Sequence, residues 1–105
     1  MSEVYTTGRW TPKDGEEEAF LGAWREFASW VSLTPGAGTL RLARDLRGPR
    51  QFVSFGRWDS IEAVQAWKGS PEFMERMSRL QRHVEQFVPT ELEVVATVED
   101  GSVVA

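Results

Sequence analysis

The spacing of apolar residues changes repeatedly along the chain, and each change predicts an element. Val4, Thr6, Gly8 and Trp10 alternate with Tyr5, Thr7 and Arg9, a period of two that predicts a short strand ending at Thr11-Pro12. Asp14-Gly15 then precedes Glu16, Glu17 and Glu18. Carboxylates in a first turn complement the helix dipole, so a helix is expected to start here. Phe20, Ala23, Trp24, Phe27, Trp30 and Val31 share one face at a period of 3.6, while Glu17, Arg25 and Glu26 point elsewhere. Thr34-Pro35-Gly36 stops that helix. Two β-rich runs follow, Thr39 to Asp45 with Leu40 and Leu42, and Gln51 to Trp58 with Phe52, Val53, Phe55 and Trp58. The turn-forming Leu46-Arg47-Gly48-Pro49-Arg50 between them predicts an antiparallel hairpin.

Asp59 and Glu62 read as a D-x-x-E capping pair that opens a second helix carrying Ile61, Ala63, Val64, Ala66 and Trp67. Gly69-Ser70-Pro71 breaks it, and Pro71 at a first helical position starts another helix. Phe73, Met77, Leu80, Val84 and Phe87 form its apolar stripe, up to Val88-Pro89. Leu92, Val94, Ala96 and Val98 alternate with Glu93, Val95 and Thr97 as a last strand, and Gly101 to Ala105 reads as a loose tail.

The predicted order is strand, helix, strand, strand, broken helix, strand. This βαββαβ pattern is the ferredoxin-like α+β arrangement, a four-stranded antiparallel sheet with helices on one face. One domain is expected over residues 1–99, with a tail over 100–105, and no linker, low-complexity stretch or short-period repeat divides it. Phe52 and Val53 are adjacent, so the second hairpin strand is apolar on both faces. A strand of that kind is covered on both sides. One helix layer covers one side only, which leaves the other for a second sheet. A core of this size is limited, so a ligand cavity within it also points to pairing with a second copy.

Composition narrows the functions. Five Trp and six Phe stand against a single Tyr, a density that builds either a bulky core or a pocket for a flat apolar ligand. A formal charge of -4 argues against nucleic acid as a partner. Arg41, Arg44, Arg47 and Arg50 cluster, yet Asp45 interrupts them, and the reading is a solvated hairpin. The absence of Cys excludes disulfides and thiolate chemistry, and a single His removes most imidazole metal sites. No apolar run reaches the ~20 residues of a membrane span. Met1-Ser2-Glu3-Val4 lacks the segments of a signal peptide, which makes the cytoplasm the expected location.

The stretch Phe52-Val53-Ser54-Phe55-Gly56-Arg57-Trp58-Asp59-Ser60-Ile61-Glu62-Ala63-Val64-Gln65-Ala66-Trp67 resembles the characteristic segment of the antibiotic biosynthesis monooxygenase family, and Ser70-Pro71-Glu72-Phe73 resembles its second helical start. The resemblance covers about residues 4 to 99. It implies a dimeric α+β barrel, a homodimer through the sheet face, with a pocket between sheet and helices in each subunit. It further implies oxygenation of a flat aromatic, polyketide-like molecule without metal or flavin, with molecular oxygen as co-substrate and no cofactor. Haem-degrading members carry an iron-ligating His where this chain has Met77, and an Asn where it has Gly8, which argues against haem chemistry. The quinone-forming branch carries an Asn one turn before the helical Trp, where this chain has Ala63.

Trp67 matches the aromatic residue that the family places in the pocket. Two readings stand beside each other: its indole orients a substrate ring or a phenolic oxygen, or it is a core residue between helix and sheet. Trp24, Phe27, Trp30, Phe73 and Met77 are the candidate pocket walls, although an aromatic stripe at helical spacing is more often core than a substrate cradle. Arg9, Arg41 and Arg57 lie on predicted strands, where they stabilise a phenolate if they point inward and otherwise face an interface or solvent. His83 is expected on the polar shoulder of the last helix, at an interface or in solvent. The functional expectation is a cofactor-independent monooxygenase; the alternative is a non-catalytic dimeric α+β-barrel protein that binds a small molecule or accompanies stress.

Overall fold

The computed structural model describes residues 3–105. Met1 and Ser2, part of the segment read for a leader and of the domain expected over 1–99, lie outside the described residues. The elements are β1 (Val4–Pro12), α1 (Glu17–Val31), β2 (Ala37–Arg44), β3 (Phe52–Trp58), α2 (Ile61–Lys68), α3 (Pro71–Gln81) and β4 (Val84–Glu93). A small separate hairpin, β5 (Val98–Glu99) with β6 (Ser102–Val103), follows.

The main sheet has the order β2-β3-β1-β4 with every neighbouring pair antiparallel. This is the ferredoxin-like order, with β1 and β3 at the centre. Because strand side chains alternate, the register divides the sheet into two faces. Val4 opposite Trp58, Thr6 opposite Gly56, Gly8 opposite Ser54 and Trp10 opposite Phe52 make up the helix-facing side of the central pair. Tyr5, Thr7 and Arg9 lie opposite Arg57, Phe55 and Val53 on the other side. The helices bring Phe20, Phe27, Val31, Val64, Trp67 and Leu80 down onto the first face, where they are buried with Val4, Trp10, Phe52 and Trp58. The core is largely aromatic: Phe20 sits 5.7 Å from Trp10 and 5.5 Å from Phe52, and Trp67 sits 4.9 Å from Trp58.

The far face carries apolar side chains that the described elements leave partly exposed. Phe55 is 38 % exposed, and Val88 and Leu92 are 46 % exposed each.

The main departure from expectation lies between α3 and β4. The stripe Phe73, Met77, Leu80, Val84 and Phe87 predicts one continuous helix, but the helix ends at Gln81 and Val84 and Phe87 belong to β4. The cause is the β1 edge. β1 pairs with β4 along its whole length, from Val4–Glu93 to Pro12–Val84, and a longer helix would strand those backbone groups without partners. Pro89 is accommodated because β4 is an edge strand. The last strand predicted around Leu92 to Val98 therefore sits earlier, and the residues read as its end and as a tail form the β5–β6 hairpin.

The cap of α2 also differs. Ser60, not Asp59, is the N-cap, and its Oγ accepts the Ala63 N–H at 3.1 Å. Ser60 has extended backbone geometry, which lets a short hydroxyl reach the first free amides of the helix.

Candidate functional site

Helices and sheet do not close fully on one another. Between them lies a cavity of about 280 Å³, roughly twice the ~150 Å³ that admits a benzene-sized ligand. Trp24 and Phe27 of α1, Trp67 of α2, and Phe73 and Met77 of α3 all line it. These five of the six sequence-selected residues thus share one space. Trp30 does not. It lines a separate cleft between the α1–β2 loop and α2/α3, beside Ala63 and Ser70, with the Arg76 guanidinium 5.0 Å from its ring centre. Trp30 sits three residues beyond Phe27, and that rotation carries it past the cavity edge.

Trp67 forms part of the wall of both spaces. It is 7 % exposed, Phe73 meets it edge-on at 4.9 Å, and Phe27 lies 6.2 Å away. Its Nε1 is buried and has no hydrogen-bond partner among the described residues. The two other deeply buried indoles are both satisfied. Trp10 Nε1 donates to Ser54 Oγ at 2.9 Å, and Trp58 Nε1 donates to Thr6 Oγ1 at 3.0 Å. A buried donor left unmet costs about 1–3 kcal/mol, a penalty that the other two indoles avoid.

Several polar residues at the cavity escape sequence reading. Thr6 and Ser54 line it from the sheet, and Lys68 and Gln81 from the helices. Lys68 Nζ lies 2.7 Å from Glu91 Oε2 on β4, an ion pair at the cavity edge. The signal for Thr6 and Ser54 was present in the chain. Val4-Tyr5-Thr6-Thr7-Gly8-Arg9-Trp10 and Phe52-Val53-Ser54-Phe55-Gly56-Arg57-Trp58 share one pattern, apolar, hydroxyl, glycine, tryptophan at alternate positions. The two copies begin the two βα units of the fold and lie side by side.

The remaining candidates lie elsewhere. Arg9, Arg41 and Arg57 are exposed on the far face of the sheet and do not enter the cavity. Arg9 pairs with Asp45 at 3.3 Å and Arg57 with Glu3 at 3.2 Å. His83 follows α3, and its Nδ1 lies 2.9 Å from Glu16 Oε1, which ties the start of α1 to the α3–β4 corner. Ala63 faces the α1–β2 loop. Gly36 there has φ of 88°, and a Cβ on it would fall 2.6 Å from that of Ala63. Among the described residues no group of three or more His, Asp or Glu is placed to hold a metal ion, and no helix is long and apolar enough to cross a membrane.

The sequence profile of the antibiotic biosynthesis monooxygenase family matches residues 4–79, which spans β1 through most of α3. The chain belongs to that family. The fold agrees with that membership. SnoaB, a cofactor-independent oxygenase from Streptomyces nogalater, superposes with a TM-score of 0.83 over 95 % of this chain and 100 % of its own, at 18 % identity. A candidate antibiotic biosynthesis monooxygenase from Deinococcus radiodurans superposes with a TM-score of 0.80 over 91 % of this chain and 96 % of its own, at 16 % identity. In sequence, the chain is 28 % identical over 72 residues to protein SchA of Streptomyces halstedii. That match spans 69 % of this chain but only 19 % of SchA, so this family member corresponds to about a fifth of that relative.

Proposed function

We propose that this family member is a cofactor-independent monooxygenase that oxidises a flat, electron-rich aromatic, such as a polyketide phenol, in the cavity between sheet and helices. The observation that carries the reading is the aromatic cavity of about 280 Å³ that Trp67 helps to wall, with the Trp67 N–H buried and unpartnered beside it. Family membership and the likeness to SnoaB, described as a cofactor-independent oxygenase, support it.

In such a reaction the substrate itself is the reductant. Loss of a phenolic proton gives an anion that adds O₂ at the ring carbon as a hydroperoxide, a two-electron step, and cleavage of the O–O bond with loss of water takes two more electrons from the same carbon. For an anthrone-type substrate, one oxygen atom replaces the two hydrogens of the ring CH₂ as a carbonyl, and the other leaves with those hydrogens as water. No external electron donor is needed. The protein has to hold the anion, stabilise its oxygen and exclude bulk water. In this reading Trp67 is the donor to that oxygen, and Trp24, Phe27, Phe73 and Met77 pack on the ring faces and keep water out. In the same reading two copies meet through the far sheet face, covering Phe55, Val88 and Leu92.

Oxygen uptake with anthrone-type substrates is the direct test. The wild-type protein is expected to consume one O₂ per substrate, and Trp67→Phe to lose about tenfold or more in kcat, the scale of one charge-stabilising donor. Undiminished uptake in the Trp67→Phe and Trp67→Ala proteins refutes the assigned role. A second reading, a dimeric barrel that binds an aromatic without turning it over, draws on Ala63, which packs toward Gly36 where the quinone-forming branch carries Asn. It predicts quenching of tryptophan fluorescence by an aromatic ligand with no oxygen consumed.

A further inference from the structure

The cavity floor is built twice from one design. On β1 and on β3 an inward hydroxyl stands two residues before a glycine and four before a tryptophan, as Thr6-x-Gly8-x-Trp10 and Ser54-x-Gly56-x-Trp58. The strands are antiparallel, so each hydroxyl lies opposite the other strand's glycine: Thr6 with Gly56, Ser54 with Gly8. Each tryptophan then reaches across and donates its indole N–H to the partner strand's hydroxyl, at 2.9 Å and 3.0 Å. Gly8 is required for this. A Cβ there would lie 2.9 Å from Trp10 Nε1 and 3.0 Å from Ser54 Oγ, inside the hydrogen bond.

The consequence concerns the hydroxyl protons. A Ser or Thr hydroxyl has one donor as well as its lone pairs. In both residues a lone pair is occupied by an indole N–H, and neither hydroxyl donates to any acceptor among the described residues. Accepting a hydrogen bond polarises an O–H and makes it a better donor. Both residues line the cavity. Diagonal neighbours across an antiparallel pair have Cβ atoms on the order of 7 Å apart, which suits two oxygens of one fused-ring ligand better than a single atom.

We infer that the Thr6 and Ser54 hydroxyls, each keyed by a buried indole, are a two-donor floor that receives the oxygen-bearing edge of the ligand. With two donors on its floor, the ligand the cavity selects is acceptor-rich: a ring system carrying carbonyl or phenolate oxygens, not a plain hydrocarbon. This rests on the cavity being the substrate site.

The test titrates the full-length protein with 1,8-dihydroxyanthraquinone and with anthracene and follows tryptophan quenching. Thr6→Val removes a hydroxyl at constant shape, Thr6→Ser retains it, and Ser54→Ala removes the other. Thr6→Val and Ser54→Ala are each expected to weaken the oxygenated ligand about 3- to 10-fold, the range of one neutral hydrogen bond. Thr6→Ser should stay within about twofold of wild type, and anthracene should bind alike in every protein. Each hydroxyl deletion leaves one indole N–H without its acceptor, Trp10 in Ser54→Ala and Trp58 in Thr6→Val, so near-UV circular dichroism checks the fold of both. Folded Thr6→Val and Ser54→Ala proteins that bind the anthraquinone as wild type does overturn the floor while the cavity reading stands. A wild-type protein that binds neither ligand overturns both.

Discussion

Trp67 and Trp58 lie 4.9 Å apart and are both buried, yet they differ in one hydrogen bond. Trp58 gives its N–H to Thr6; Trp67 gives its N–H to no acceptor among the described residues. Trp58→Phe therefore loses packing and a satisfied bond, about 2 kcal/mol together, whereas Trp67→Phe loses packing but relieves a buried unmet donor and stays within about 1 kcal/mol of wild type. Urea unfolding of the two variants measures the contrast, and equal losses would show that Trp67 is held like any core indole. At the surface, Asp45 offers a second residue-scale prediction. Its carboxylate accepts the Arg47 and Gly48 amides at 2.9 Å and 3.2 Å and pairs with Arg9, and these contacts hold its pKa below the ordinary 3.8. A depressed folded-state pKa contributes stability that is complete above the unfolded value and disappears as pH falls through the folded one. Thermal melting between about pH 5 and pH 2 should thus fall more steeply for wild type than for Asp45→Asn.

Among the elements, α2 is the place where a single side chain decides a boundary. Ser60→Ala is expected to cost about 0.5–2 kcal/mol and Asp59→Ala almost nothing, because only Ser60 caps the helix. Chemical denaturation of the pair distinguishes them. Element by element, the chain was legible wherever local pattern and tertiary pairing agree. β1, α1 and the β2–β3 hairpin emerge from alternation, the 3.6 period and turn residues. The α3–β4 boundary was not legible, because Val84 and Phe87 continue a helical stripe and also suit a strand, and only the long β1 edge selects between them. The site divides in the same way. Trp24, Phe27, Trp67, Phe73 and Met77 follow from helix faces, while Thr6 and Ser54 need the register before their shared inward placement is apparent. Trp30 obeys the helical period and still misses the cavity, since periodicity gives a direction but not the width of what lies there.

For the molecule as a whole, the sheet is the asymmetric object. One face holds the core and the cavity; the other presents Phe55, Val88 and Leu92 half in water. Exposed apolar groups gathered on one sheet face mark an interaction surface, and a second copy of the chain is the proposed occupant. Sedimentation at micromolar concentration should report a dimer, and Val88→Glu or Leu92→Glu should weaken it tenfold or more, about 1.4 kcal/mol. A wild-type monomer under those conditions would remove the barrel, though not the cavity, which is formed within one chain.

Pro89 has a bearing on how the protein keeps in a tube or a cell. It stands midway along an outermost strand, opposite Gly8, where an incoming strand from a misfolded neighbour would look for an amide proton and find a ring. Pro89→Val restores that proton, and the variant is expected to form thioflavin-positive fibrils on prolonged agitation sooner than wild type. A proline that looks like an irregularity in the ladder is in this light a guard against runaway self-association.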